Sequence, residues 1–221
     1  MLKPYDTTLR PKPRKNKMKT LTKQDYWILK RWREARQLED CMDTARERYV
    51  GLFGEVHKQV KKHTPALDRW DPHMKPREIE EWGGNVVFSK SAWPCTSTTW
   101  RTGFYIWGVS LEELTAENPP APGAYIWLAV NSQTDKRIDI LRQRLAAKAP
   151  DIFKGRQIQW SQHEEDSQTC LWYQFPEGNS QFLKMLTRDE KSFVDCIAKH
   201  IKLLSGFMPV MDAVLIKDKS K

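Results

Sequence analysis

Apolar residues recur seven apart at Ile28, Ala35, Met42, Tyr49 and Val56, and Leu38, Ala45 and Leu52 follow the middle three by three positions. An α-helix turns every 3.6 residues or so, which gathers such a set into one stripe. The spacing therefore predicts a long helix or helical hairpin within a helical region spanning 21–82. Thr22 and Asp25 supply an N-cap and a first-turn acid at its start. The stripe suits either packing on the protein's own body or the seam of a homodimer. Arg31 and Gln59 stand where the stripe would extend, and Gly51 and Gly54 weaken its C-terminal part, which favours packing on the body. On the opposite side Arg36, Asp40, Asp43 and Glu47 read as a solvated face.

Past Pro65 the periodicity stops. Asp71-Pro72 and Lys75-Pro76 act as breakers, a short helix is expected over 76–82, and Gly83-Gly84 ends it. From there aromatic and β-branched residues take over, and 85–93, 103–110, 123–131, 157–162 and 170–175 read as strands. A helix is expected from 135 to about 149, with Ile138, Leu141 and Leu145 as its apolar face. A second is expected over 187–204, where Phe193, Ile197, Ile201 and Leu204 recur at helical spacing. The order of elements predicts an α+β fold in which helices pack on a mainly antiparallel sheet of about five strands, spanning 83–221. One internal echo stands out: Gly103-Phe104-Tyr105-Ile106-Trp107 and Gly123-Ala124-Tyr125-Ile126-Trp127 share the pattern GxYIW, which predicts two neighbouring strands with each Tyr and Trp on one face. Trp107 and Trp127 are expected in the core.

Charge separates the chain into two parts. Residues 1–33 hold eleven Lys or Arg against Asp6 and Asp25, which is +9, the net charge of all 221 residues. The rest is neutral, so the basic character belongs to one end. Residues 1–20 combine that charge with Pro4, Pro11 and Pro13 and low hydrophobicity, the composition of an extended, disordered arm. Polyanions reward such a segment, because each neutralised phosphate releases condensed counterions. Arg14, Lys15, Lys17, Lys19, Lys23, Lys30, Arg31 and Arg33 are the expected phosphate contacts, with Trp27 placed to stack on a base. No apolar run is long enough to span a bilayer and no apolar leader opens the chain, so a cytoplasmic location without membrane partners is expected.

Catalytic signatures are sparse. GxGxxG, GxxxxGK and GxSxG are all absent, which argues against dinucleotide, P-loop and acyl-transfer chemistry. Pro176-Glu177 followed by Asp189-Glu190-Lys191 fits the loose PD-(D/E)XK pattern, in which Glu177 and Asp189 would hold a divalent metal and Lys191 would polarise the attacked phosphate or water. Against this, Thr187-Arg188-Asp189-Glu190 reads as a capping box opening a helix, with Thr187 as N-cap. His163-Glu164-Glu165-Asp166 reads as a charged turn between strands. Cys41, Cys95, Cys170 and Cys196 are widely spaced and His200 has no partner visible in the sequence, so neither metal ligands nor a cofactor are assigned.

The strand 124–130, the helix with Ile138, Leu141 and Leu145, the Ile152-Phe153-Lys154-Gly155 corner, the strand Gln157-Ile158-Gln159-Trp160, and a closing helix with Phe193 followed by Phe207 carry a resemblance. In this order they resemble a domain of unknown function that closes some bacterial restriction- and phage-defence-associated proteins, often after a PD-(D/E)XK-like nuclease half. That resemblance implies an accessory fold in a defence or DNA-handling system and transfers no functional residue. The region before it departs from a nuclease half, being helical and basic. The expected function is a non-catalytic nucleic-acid-binding accessory subunit with a protein partner, and the alternatives are a divergent metal-dependent nuclease and a structural adaptor acting through the N-terminal helix.

Overall fold

The computed structural model describes residues 22–23, 30–72, 86–96, 101–130, 135–156, 159–161 and 168–216. The chain divides into two units, 1–42 and 43–221, and the second contains an α+β body. Helix α1 (Trp32–His63) crosses this division, opening with Glu34 and closing with Lys61, Lys62 and His63, charges that suit its dipole. The stripe splits with it. Tyr49, Leu52, Phe53, Val56 and Val60 are buried in the body's core, whereas Leu38 and Met42 are 64% and 46% exposed. Own-body packing therefore describes the stripe from Tyr49 onward.

Among the described residues, six antiparallel strands form one sheet in the order β1-β2-β3-β4-β6-β5: β1 (Arg69–Pro72), β2 (Val86–Ser89), β3 (Gly103–Trp107), β4 (Gly123–Trp127), β5 (Trp160–Ser161) and β6 (Thr169–Gln174). Strand β1 lies in the segment expected to be helical or irregular. Asp71-Pro72 marks its end, and an edge strand tolerates the proline because one side of its backbone needs no ladder partner. Helix α2 (Leu111–Thr115) follows β3 and carries a Ser110–Glu113 capping box. Helix α3 (Lys136–Phe153) starts at the Asp135 cap and runs one turn beyond the expected end; it passes Pro150, with Ala149 and Phe153 buried on either side.

The expected helix over 187–204 is two helices, α4 (Asn179–Arg188) and α5 (Glu190–Leu204). Asp189, not Thr187, caps α5: its carboxylate accepts from the Ser192 N–H and hydroxyl, while the Thr187 hydroxyl donates to the Leu183 carbonyl inside α4. A short 3-10 turn leads into α6 (Met208–Leu215), whose Met208, Met211, Val214 and Leu215 are buried. The helix expected over 76–82 and the charged turn at 163–166 lie outside the described residues.

Period-two alternation sorts the sheet's faces. Phe88, Phe104, Ile106, Ala124, Ile126, Leu171 and Tyr173 join the buried residues of the helices in one core. The other face carries Tyr105 stacked on Tyr125 at 5.0 Å, with Trp127 edge-on to Tyr105 at 5.8 Å. Trp107 and Trp127 are accordingly half-buried on this second face rather than in the core. The GxYIW echo has a structural meaning: Gly103 pairs with Trp127 and Trp107 with Gly123, so each glycine lies opposite the other copy's tryptophan.

Candidate functional site

Phe175 directly follows strand β6, and its N–H donates to the Pro122 carbonyl at 2.9 Å; the Asn179 side chain then donates to the Pro120 carbonyl at 2.6 Å. These two bonds fix the loop that carries Glu177. Helix α5 presents Cys196 and His200 one turn apart, and side chains at this spacing share a helix face. His200 is buried and its Nε2 lies 2.8 Å from Glu177 Oε2. The Phe175 ring stacks on the imidazole at 4.0 Å and 14°, which fixes its plane. One ligating atom from each of Glu177, Cys196 and His200 falls within 4.8 Å of the others.

The protonation of this group follows from burial and one carboxylate. Burial holds the His200 pKa below its ordinary value; Glu177 pulls it upward, and Lys199 and Arg156 add to the lowering. Burial acts upward on Glu177, yet His200, a backbone N–H and Lys199 together keep its carboxyl below the usual range. At neutral pH a carboxylate thus accepts a hydrogen bond from a neutral imidazole. Burial first, and then the charge and hydrogen bond of Glu177, push the Cys196 thiol up to about 12. A thiol so placed is a poor nucleophile, since attack needs the thiolate, and Glu177 rather than an imidazole base is its partner. Beside them the Tyr173 hydroxyl is buried without a hydrogen-bond partner. Burial raises its pKa well above the ordinary value, and the charges of Glu177 and Cys196 raise it further.

Compared with known proteins, the chain matches no family model, no curated protein and no solved structure. The site is therefore read from its own residues.

Of the carboxylates in the PD-(D/E)XK pattern, Glu177 faces His200 while Asp189 caps α5 through Ser192, so the two have different partners. Lys191 is exposed on the first turn of α5. Of the expected nucleic-acid contacts, Arg14, Lys15, Lys17, Lys19 and Trp27 lie outside the described residues. Lys23, Lys30, Arg31 and Arg33 are exposed, and Arg31 approaches Glu34 at 3.6 Å in a solvent-exposed pair of small energetic consequence. Trp32 is 56% exposed, and Arg36 follows it by one helical turn. In the sequence His200 stood without a partner, although its four-residue spacing from Cys196 on an expected helix is the signal that could have paired them. Glu177 carried no such signal, because only the turn after β6 brings it to them.

Proposed function

We propose that this protein binds nucleic acid through its basic N-terminal region, as a non-catalytic accessory subunit of a DNA- or RNA-handling complex such as a defence or mobile-element system. The observation that carries the reading is the segregation of charge: the entire net +9 falls within residues 1–33. The described cations of that region, Lys23, Lys30, Arg31 and Arg33, support it by being exposed, with Trp32 among them as a solvent-accessible stacking surface. An interleaved set of cations and aromatics suits a backbone-following, sequence-tolerant grip, in which phosphates fix position and bases stack. The body would then dock a protein partner.

Deleting residues 1–24 removes eight of the eleven cations and leaves every described core residue, from Tyr49 onward, in place. The deleted chain is expected to keep the far-UV circular dichroism and thermal transition of the body while losing most of its affinity for both duplex and single-stranded probes in fluorescence anisotropy. Equal affinity with and without the arm would refute the reading.

A second reading, a homodimer through α1, rests on Leu38 and Met42, large apolar side chains one turn apart and exposed. It predicts a dimer mass for the intact chain in light scattering and a monomer mass for Met42→Lys. A monomer mass for both sinks it.

A further inference from the structure

The geometry points to a transition-metal site in the body, in which Glu177, Cys196 and His200 coordinate one Zn²⁺. It stands apart from the nucleic-acid reading, since these residues lie within 43–221 and the basic arm does not.

Three side chains of the types that zinc selects, a carboxylate, a thiol and an imidazole, place ligating atoms within 4.8 Å of one another. A tetrahedral zinc with ordinary bond lengths holds its ligand atoms about 3.3–3.7 Å apart. The Nε2–Oε2 separation of 2.8 Å must therefore open slightly, and any separation near the 4.8 Å bound must close by up to about an ångström, changes that χ rotations of Glu177 and Cys196 would supply. His200 needs no such movement, because the Phe175 ring and its own burial hold it.

A second observation points the same way. Tyr173 presents a fully buried hydroxyl without a partner, and its ring lies 5.9 Å from that of His200. Buried hydroxyls in native proteins are nearly always hydrogen-bonded, and a water filling the fourth zinc position would offer the Tyr173 hydroxyl a hydrogen-bond partner. The ligand set also balances charge. A thiolate, a carboxylate and a neutral imidazole bring two negative charges to a divalent ion, so the bound site is neutral despite Lys199 and Arg156 nearby. On binding, the Cys196 thiol proton leaves to solvent and the imidazole proton passes from Nε2, where it is shared with Glu177, to Nδ1, freeing Nε2 to coordinate. Thiolate and imidazole together favour Zn²⁺ and Co²⁺ over Mg²⁺ and Ca²⁺. The ion would tie the loop after β6 to helix α5, which makes its role one of cross-linking sheet to helix.

The test uses the full chain, stripped of metal with a chelator and titrated with Co²⁺ and then Zn²⁺. One Co²⁺ per chain is expected, with d–d absorption of tetrahedral intensity and a thiolate-to-cobalt charge-transfer band. Zn²⁺ should bleach both, and Mg²⁺ should not. The charge-transfer band should persist in Cys41→Ser and vanish in Cys196→Ser. At a hundredfold excess over Kd, Zn²⁺ is expected to raise the Tm by about 5–10 °C. Because Cys196→Ser could fail to fold, alkylation of the wild-type chain with and without Zn²⁺, mapped by mass spectrometry, gives an independent reading: Cys196 should be protected and Cys41 should not. Absence of a charge-transfer band, its survival in folded Cys196→Ser, or alkylation of Cys196 undiminished by Zn²⁺ would each overturn the proposal.

Discussion

Replacing Phe193 with Ala is expected to lower the unfolding free energy by about 3–5 kcal/mol, the range for truncating a buried aromatic. Phe193 is fully buried on α5 and meets three other rings: Phe53 edge-on at 5.8 Å, Phe182 edge-on at 6.2 Å and Tyr49 tilted at 6.4 Å. Those rings come from α1 and α4, so one side chain joins three helices. The cavity cannot close cheaply, because Tyr49 is held elsewhere by its hydroxyl donating to the Val109 carbonyl at 3.1 Å. Domains are stable by about 5–15 kcal/mol in total, so the loss would leave a thin margin. For a chain of this length it corresponds to a fall in Tm of about 6–20 °C, readable by calorimetry. A fall of under about 2 °C would mean that the three helices do not share this core.

Gly103→Ala is the second large effect. A Cβ at this position would lie 2.6 Å from the Phe88 carbonyl oxygen and 2.6 Å from Val87 Cγ2, both on the neighbouring strand β2. A backbone oxygen cannot rotate away, so β3 must shift against β2, and overpacking of this kind costs about 1–3 kcal/mol. Gly178, whose added Cβ would meet nothing, is the matched control. Chemical denaturation should separate the two substitutions, with Gly178→Ala close to wild type. Equal stabilities would contradict the β2–β3 packing. Gly123 stands in the same relation to the Tyr173 carbonyl of β6, 2.7 Å from its would-be Cβ, which explains why both copies of GxYIW open on glycine.

The body's class and most of its elements were legible because they follow from local periodicity. Ile138, Leu141 and Leu145 mark α3, and alternation along GxYIW marks β3 and β4. What the sequence hid were events set by tertiary contact. β1 is four residues long and gains its strand identity only by pairing with β2. The break at Asp189 was masked because Thr187 and Glu190 form a plausible box two residues too early, while Asp189 competes for the same role with two bonds to Ser192. Trp107 and Trp127 read as core because strand aromatics usually are, yet their parity puts them on the face away from the helices. The Glu177–Cys196–His200 group was missed: the four-residue spacing of Cys196 and His200 on one helix was an unused signal, and Glu177 joins them only through a turn whose anchors are carbonyls of Pro120 and Pro122.

On the proposed reading, the basic end of the chain, and not the neutral body, carries the protein's recognition. The most direct test is the salt dependence of binding by the full-length chain to a duplex probe. If Arg14, Lys15, Lys17, Lys19, Lys30, Arg31 and Arg33 each neutralise a phosphate, log K should fall against log salt with a slope of about −6, and affinity should drop about 10³–10⁴-fold between about 50 and 200 mM. A slope near zero, with binding retained at high salt, would contradict the account and place recognition on the body.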